Sequence, residues 1–597
     1  MEPYVAPLDE IRFTLDRVVG LDHLLSASRF EGLDADTVHG AIAEAARFIT
    51  EVFGPLNTIG DRQGTKLVDG KVVTPDGWAE AYRKFVDAGW GALPFDTEFG
   101  GGGFPDLIGI VLQEMMVACN MSFSLCPLLT QGAIHALEEV ADAELTEQYL
   151  SKLVTGEWTG TMNLTEPEAG SDVGALRTKA VPNGDGSWRI TGNKIFITYG
   201  EHEMTDNIVH LVLARTPDAP PGTKGISCFL VPKYLVNADG SLGDHNDLSC
   251  VSLEHKMGIH ASPTCVMSYG DGGGATGWLL GNELDGMTVM FVMMNMARLS
   301  VGVQGLGIAE RATQAAVRYA NERTQGQVPG GERGRSVAIV EHPDVRRMLW
   351  TMRAYTEAMR GLLYEAVAAY DLARHADDAE ARAAAQELVD LLTPVAKSWS
   401  TDLGVEVASL AVQVYGGMGY VEETGVAQLL RDSRIAPIYE GTNGIQAMDL
   451  VGRKVPMRGG GAMTDFIARM RELDKELDAA GDELATIRAG LSGAIDDLDS
   501  ATRWIFSNAG KPLEVLAGAS PYLRLMGVTV GGWMLARGAL AAREWKSEGG
   551  DASFCDMKLH TARFYAEQLL PQTKGLVPQI TAGGASVLAG DLSAVLV

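Results

Sequence analysis

The stretch Ala436-Pro437-Ile438-Tyr439-Glu440-Gly441-Thr442-Asn443-Gly444-Ile445-Gln446 decides how the chain is read. A single carboxylate, Glu440, stands between an aromatic residue and a Gly-Thr-Asn turn, with helical-looking segments on either side. Gly441 lets the backbone bend where a side chain would crowd a ligand, and Thr442 and Asn443 are placed to bond the turn's own amides. Such a turn exposes a base. The same letters also spell an ordinary helix entry with a solvated glutamate beside it, and the stretch alone leaves both readings open.

Working outward, hydrophobic periodicity divides the chain. Residues 41–53 and 108–119 repeat apolar side chains every three or four positions, which predicts helices within 36–160. Between them, residues 99–105 hold four consecutive glycines with no strand-to-helix context, the pattern of a flexible connection near the ligand pocket. Beyond residue 160 the period shortens. Residues 188–191, 194–199, 208–215, 226–231 and 264–269 are rich in β-formers and separated by Gly, Pro, Asn and Asp, which predicts a β-domain over 161–284. Helical periodicity returns over 285–457, most clearly at 299–319 and 355–370. Helix, sheet, helix is not a βαβ alternation, so the expected class is α+β and a doubly wound dinucleotide fold is disfavoured. The string Gly272-Gly273-Gly274-Ala275-Thr276-Gly277 leads into Trp278 rather than a helix and reads as a loop. Residues 458–462 read as a linker. After it Phe466, Met470, Leu473 and Leu477, then Leu484 to Leu498, and Met526, Val530 and Trp533 keep helical spacing, which predicts an extra helical domain over 462–597. Residues 1–35 read as an extension with a short helix and no chemistry.

Composition sets limits. At 597 residues the chain exceeds a single core, and 46% hydrophobic with 21% charged residues is a globular composition. The net charge of −28 disfavours wrapping nucleic acid or an anionic membrane, although a local phosphate pocket fits inside an acidic total. Six cysteines without a Cys-x-x-Cys pair suggest neither a zinc site nor a disulfide framework, and a reducing cytoplasm fits them. Met1-Glu2-Pro3-Tyr4 opens no export signal, and the apolar run 526–536 is too short to span a bilayer. Met287, Met290, Met293, Met294 and Met296 recur at helical spacing and read as adaptable core filler.

Residues 437–443 resemble the catalytic-base segment of the acyl-CoA dehydrogenases, and Thr165-Glu166-Pro167-Glu168-Ala169-Gly170-Ser171-Asp172 resembles their flavin loop. Arg323-Thr324-Gln325-Gly326 and Gln413-Val414-Tyr415-Gly416-Gly417-Met418-Gly419 are similar to further family segments, in the family's order, over roughly residues 40–455. The added length at both ends is similar to a long bacterial subgroup. The resemblance implies the acyl-CoA dehydrogenase fold: an N-terminal helical domain, a middle β-domain and a four-helix bundle, with the extra C-terminal helical domain appended. It also implies FAD as cofactor and α,β-dehydrogenation of an acyl-CoA to the trans-2-enoyl-CoA. Reoxidation by electron-transfer flavoprotein and a homodimer or dimer of dimers follow from it too, while the expected cytoplasmic setting without nucleic acid, metal or membrane span rests on the charge, the cysteines and the short apolar run.

Such a reaction takes an α-proton while hydride leaves the β-carbon, so one carboxylate and one flavin suffice. By resemblance Glu440 is the base, and its N–H with a ribityl hydroxyl of FAD faces the thioester oxygen. Gly441 bends the chain around the thioester, and Tyr439 lines the acyl site. Some relatives carry the base just before an arginine; here that string is Asn295-Met296-Ala297-Arg298, and Ala297 takes no proton. Arg298 supports the substrate region or makes a structural salt bridge. Leu164 and Thr165 match the flavin edge, and Gly170 and Ser171 the turn near phosphate and CoA, although the same letters make a capping turn. Phe196 stands where the family carries Trp, keeping an aromatic face without the indole donor, and Thr198 is available to flavin N5. The same string is also a plain strand. Arg323 and Gln325 resemble residues that reach the FAD of a neighbouring subunit, with Gly326 where an aromatic is frequent. Gln413, Gly416 and Gly417 approach the same diphosphate, and Thr442 completes the cofactor set. An acyl-CoA oxidase, making peroxide, and a DNA-associated flavoprotein of the alkylation-response type are the alternatives. The Tyr-Glu-Gly-Thr-Asn string argues against the first. Over residues 460–597, 13 basic against 17 acidic residues argue against the second.

Overall fold

The computed structural model describes residues 3–328, 334 and 336–596. Met1 and Glu2, half of the quartet read for an export signal, and Val597 lie outside the described residues. In chain order, the elements used below begin with α1 (Leu8–Phe13), α2 (Ala35–Val52), β1 (Lys66–Val68), β2 (Lys71–Val73) and α3 (Asp106–Val140). There follow β3 (Thr159–Asn163), β4 (Lys179–Pro182), β5 (Ser187–Thr198), β6 (Ile208–Ala214), β7 (Ser227–Pro232), β8 (Tyr234–Val236), β9 (Leu242–His245), β10 (Leu248–Leu253), β11 (Thr264–Tyr269) and β12 (Ala275–Leu280). The later helices are α4 (Gly286–Glu322), α5 (Pro343–His375), α6 (Ala379–Tyr415), α7 (Val426–Ser433), α8 (Asn443–Asp449), α9 (Gly461–Ala479), α10 (Ala485–Ser507), α11 (Ala519–Ser547) and α12 (Ala552–Phe564). Pro3–Ala6 with Gly40–Ser300 form one compact unit, which carries the sheet; Pro7–His39 with residues 301–596 form a second, which is helical.

In the sheet unit the strand order is β10-β11-β5-β12-β7-β6-β3, with β4 on β5. The β3–β6 ladder is parallel and the other described ladders are antiparallel, so no doubly wound sheet arises. Ile190, Ile197, Val212, Phe229, Val231 and Met267 fill its core. Residues 188–191 and 194–199 are not two strands but parts of β5, which is irregular near its end. Ile197 opposes Cys265 and Lys194 opposes Met267, so two residues of β5 face one of β11, a bulge. The helical expectation for 36–160 missed the hairpin β1–β2. Helix α3 is two helices merged at Asn120 (φ −162°, ψ 88°), whose Oδ1 accepts from Phe123 N at 3.1 Å, and this break explains why the helical pattern stops at Cys119. Strand β3 lies so close to α3 that a Cβ on Gly160 would stand 2.5 Å from Ala133 Cβ.

Two glycine-rich strings are resolved by their hydrogen bonds. The segment 99–105 is a locked crossing rather than a flexible connection: Gly101 N donates to Asp96 O (2.8 Å), Gly102 N to Ala92 O (3.0 Å) and Gly103 N to Phe95 O (2.9 Å). A Cβ on Gly101 would stand 2.1 Å from Phe95 O, so only glycine passes there. Of the string 272–277 only 272–274 is the loop expected, joining β11 to β12; Ala275, Thr276 and Gly277 already belong to β12, paired with Ile190, Arg189 and Trp188 of β5. The Gly272 and Gly274 amides donate to the Asp247 carboxylate at 2.9–3.0 Å, so the chain's own anion fills the nest.

In the helical unit α4 and α6 touch backbone to backbone: Cβ atoms on Gly302 and Gly305 would stand 2.6 and 2.1 Å from Ala396 O and Ser400 O. The C-terminal extension folds onto this pair. Gly527 and Gly531 of α11 form a notch over the buried Trp399 of α6, and Arg469 and Arg537 reach Glu365 of α5 at 2.7 and 2.9 Å. The string 458–462 is not a free linker, because it forms a helical turn running into α9 and Gly460 packs against the Phe506 ring. The run 526–536 belongs to a 29-residue helix, which corrects the argument from its length. Helices α3, α4 and α11 are long and apolar enough to cross a membrane by length and composition, and 94%, 67% and 89% of their most apolar windows are buried in the protein. Of the methionine series, Met290, Met293 and Met296 are buried, as core filler should be.

Candidate active site

The turn between α7 and α8 carries Glu440, which has φ +54° and is followed by Gly441 at φ +78°. For a residue with a Cβ this left-handed conformation costs roughly 1–2 kcal/mol, so the surroundings must impose it. They do so through Asn443. Its Nδ2 donates to Ser398 O (3.1 Å), Thr401 Oγ1 (3.1 Å) and Asp402 Oδ1 (2.8 Å), and its Oδ1 accepts from Lys397 Nζ (2.8 Å). Lys397 is fully buried on α6, and burial raises the pKa of Asp402 against the lowering effect of Asn443. The expectation that Thr442 and Asn443 bond the turn's own amides is thus corrected. Asn443 reaches a neighbouring helix, and Thr442 Oγ1 donates to a carbonyl, Pro437 O, at 3.3 Å. Gln446 Nε2 closes the turn onto Gly441 O at 3.2 Å.

Tyr439 donates its hydroxyl proton to Gln304 Oε1 on α4. Burial raises its pKa, and the Glu440 charge raises it further, so the phenol stays a neutral donor. Gln304 Nε2 and Gln446 Oε1, both buried, have no hydrogen-bond partner. Buried polar atoms left this way beside a strained carboxylate are what a turn built for a ligand contains.

In the sheet unit, Leu164 and Thr165 follow β3 directly and are half-buried; Gly170 and Ser171 are exposed, with open space where a Gly170 Cβ would point. Phe196 sits on the β5 bulge with φ +60° and is 57% exposed, although its neighbour Ile197 is buried. An exposed ring in a left-handed backbone is held outward, since an unconstrained strand would turn it flat or inward. Thr198 is half-buried, pairs with Thr264, and its carbonyl accepts from Thr161 Oγ1 at 2.8 Å. Arg298 is buried on α4, with its guanidinium 6.0 Å from the Phe291 ring centre.

Arg323, Gln325, Gln413, Gly416 and Gly417 are all exposed in the helical unit. Their two segments are brought together by the ends of α4 and α6, where Tyr319 stacks on Tyr415 with ring centres 4.0 Å apart. Gly326 has φ +72°, and the His342 ring lies 3.5 Å from where its Cβ would be, so an imidazole fills space beside the missing aromatic. The candidate residues thus divide between the units: 439–442, 323, 325 and 413–417 in one, and 164–171, 196, 198 and 298 in the other.

Sequence reasoning missed the groups behind these residues. Lys397 and Gln304 hold the Glu440 turn, and Lys194 with Glu166 holds the 164–166 segment. The signal for Lys194 was available as a lone charge inside a run of β-formers that also carries an aromatic and a threonine.

Family models match along nearly the whole chain. Residues 66–157, 161–271 and 284–455 match the N-terminal, middle and C-terminal domains of acyl-CoA dehydrogenase, and 461–591 match a domain described as acetyl-CoA dehydrogenase C-terminal like. A 3-methylmercaptopropionyl-CoA dehydrogenase of Ruegeria pomeroyi is 46% identical over 597 residues, 99% of this chain and 100% of that one. A butyryl-CoA dehydrogenase of Syntrophomonas wolfei is 34% identical over 600 residues, 98% of each. The crystal structure of an acyl-CoA dehydrogenase complexed with FAD from Bacillus anthracis superposes with a TM-score of 0.74 at 20% identity, covering 98% of this chain and 93% of that one.

Proposed function

Because the chain belongs to the acyl-CoA dehydrogenase family, we propose that Glu440 is the base that takes the α-proton of an acyl-CoA thioester. The protein is an acyl-CoA dehydrogenase, and its cofactor is FAD. The observation that carries the role of Glu440 is the over-determined turn, a left-handed carboxylate fixed by the four groups around Asn443. A base held in one place spends no further entropy when substrate arrives. Gly441 gives the thioester room, and the Glu440 N–H serves its oxygen.

The residues in the sheet unit suit a planar ring with a polar edge: an outward aromatic face at Phe196, a hydroxyl at Thr198, and the Leu164–Thr165 backbone. We assign the flavin edge to Leu164 and Thr165, the ring face to Phe196, and N5 to Thr198. Gly170 and Ser171 take the phosphate and CoA side, with Arg298 and Tyr439 lining the substrate. Arg323, Gln325, Gln413, Gly416, Gly417 and Thr442 are assigned to FAD, the first five across a subunit interface, which requires a dimer or dimer of dimers. Bound FAD supplies the acceptor for the β-hydride. Transfer onward to electron-transfer flavoprotein, a place in fatty-acid β-oxidation and a cytoplasmic site belong to the same proposal, as does the division at residues 35, 160, 284 and 457–462. Full-length likeness to relatives named for 3-methylmercaptopropionyl-CoA and butyryl-CoA supports a short acyl group.

The test is anaerobic addition of an acyl-CoA panel to wild type and Glu440→Gln. Wild type is expected to bleach with short acyl-CoAs, and Glu440→Gln to hold FAD and stay yellow. Flavin left oxidised by every saturated acyl-CoA refutes the function, and equal bleaching in the variant moves the base elsewhere. Stoichiometric peroxide in air points to the oxidase.

A further inference from the structure

Lys194 takes no part in the roles above, yet it is fully buried in the sheet unit. Its Nζ donates to Leu164 O (3.0 Å) and Glu166 Oε1 (2.8 Å). Glu166 is buried too, and accepts from Thr178 N (3.1 Å) and Oγ1 (2.6 Å) and from Arg177 N (2.6 Å). The next residue of β5, Ile195, donates its N–H to Thr165 O at 2.9 Å. Three consecutive residues, 164 to 166, are therefore fastened to two consecutive residues of β5. Phe196 comes next, on the bulge, with its ring outward.

An ammonium inside a sheet is expensive even when paired, and an apolar residue of the same length would fill the site at less cost. A buried charge that is kept calls for a geometric role. We propose that Lys194 is a positioning residue for FAD: its ammonium fixes the Leu164–Thr165 edge relative to the Phe196 ring, so that one planar group meets both. The inference rests on the assignment of those two segments to the flavin.

The proton on Lys194 is the point of control. Burial lowers its pKa to about 8, against the raising effects of Glu166 and, more weakly, Cys228. Glu166 is held below its usual range, burial being outweighed by Lys194 and the Thr178 and Arg177 donors. The Cys228 thiol is pushed up to about 12 by burial. Above about pH 8, then, Lys194 alone of the three changes charge, and Leu164 O loses a charged donor.

The test uses the full-length protein as Lys194→Met, Glu166→Gln and the double variant, with the FAD dissociation constant, the bound-flavin spectrum and the apoprotein melting temperature read for each. Lys194→Met is expected to weaken FAD about tenfold, as loss of one charge-assisted hydrogen bond implies, with an altered spectrum. The double variant, free of an unpaired charge, should melt near wild type and still bind FAD weakly. Wild-type affinity should fall from about pH 7 to about pH 9.5, while Lys194→Met stays flat. Affinity that returns with the melting temperature in the double variant, or is unchanged in Lys194→Met, overturns the proposal. If Lys194→Met does not fold, a flat wild-type pH series overturns it. Wild type that binds no FAD at all would instead sink the flavin assignment itself.

Discussion

Glu10→Gln tests how the N-terminal extension is held. Glu10 lies on α1, and its carboxylate meets Lys558 of α12 and Arg353 of α5; Lys558 also meets Glu357 at 3.0 Å. With Glu310 and Arg360, which pair at 2.8 Å, the cluster balances three acids against three bases. Burial works to raise the pKa of Glu10, but Lys558, Arg353 and Arg360 outweigh it and lower it to about 2. Against an ordinary 4.5, at about 1.4 kcal/mol per unit, this is roughly 3 kcal/mol of stability at neutral pH. Because the folded pKa is depressed, that contribution is complete above about pH 4.5 and is lost as pH falls toward 2. Removing one member of a buried pair typically costs about 3–5 kcal/mol, so two routes agree on the size.

Trp545, one of ten tryptophans, packs 6.0 Å from Phe13 at the end of α1, so the fluorescence difference between otherwise identical chains with Trp545 and with Trp545→Phe reports the loss of this corner. A chain of several domains does not unfold in one step, so the quantity to compare is the urea midpoint of that signal, variant against wild type. Glu10→Gln should lower it at pH 7, and the gap should shrink below about pH 4.5 and close as the pH falls toward 2. Lys558→Met should cost a similar amount, and the double variant less than the sum. An unchanged midpoint at pH 7, a gap that persists in acid, or strict additivity would refute the reasoning.

Asn443→Ala removes the four hydrogen bonds that tie the Glu440 turn to α6, one of them donated by the buried Lys397. It should cost about 3 kcal/mol and lower kcat at least tenfold at unchanged FAD content, read by thermal melts and steady-state kinetics. Gly101→Ala places a Cβ against the Phe95 carbonyl and should prevent stable folding. Gly103→Ala, with φ +70° and its nearest atom at 3.4 Å, should cost about 1 kcal/mol in the same melts.

What was legible in the sequence was local. Glu440, Gly441 and the Thr165 loop were found because turn chemistry is written in consecutive letters, and the change of hydrophobic period placed the sheet between helical segments. What was missed is held by partners far along the chain: Lys397 and Asn443 are 46 residues apart, and Glu10 and Lys558 are 548 apart. Strict alternation in β5 would put Lys194, Phe196 and Thr198 on one face. The bulge instead buries the first and exposes the second, and no spacing rule announces a bulge without glycine. The glycine string at 99–105 misled in the opposite direction, since the freedom it advertises is consumed by hydrogen bonds at 101–103.

A left-handed backbone at a residue with a side chain does not mark function by itself, since Ile259 and Leu284 also adopt it. What sets Glu440 and Phe196 apart is a fully buried lysine fastening the backbone beside each: Lys397 through Asn443, and Lys194 through Leu164 and Glu166. A hydrophobic residue would fill either place at less cost but would have no proton to aim at a loop. Lys558 does the same for the chain ends, joining α1, α5 and α12. In a chain with a net charge of −28, basic groups that leave the surface for the interior are spent where a segment must hold one position. A substitution of Lys194 or Lys558 by methionine, together with its acid partner Glu166 or Glu10 by glutamine, should therefore leave the protein about as stable as before while loosening the segment it holds. Stability and the hold on the segment would then part company at both sites, which apolar packing alone would not produce.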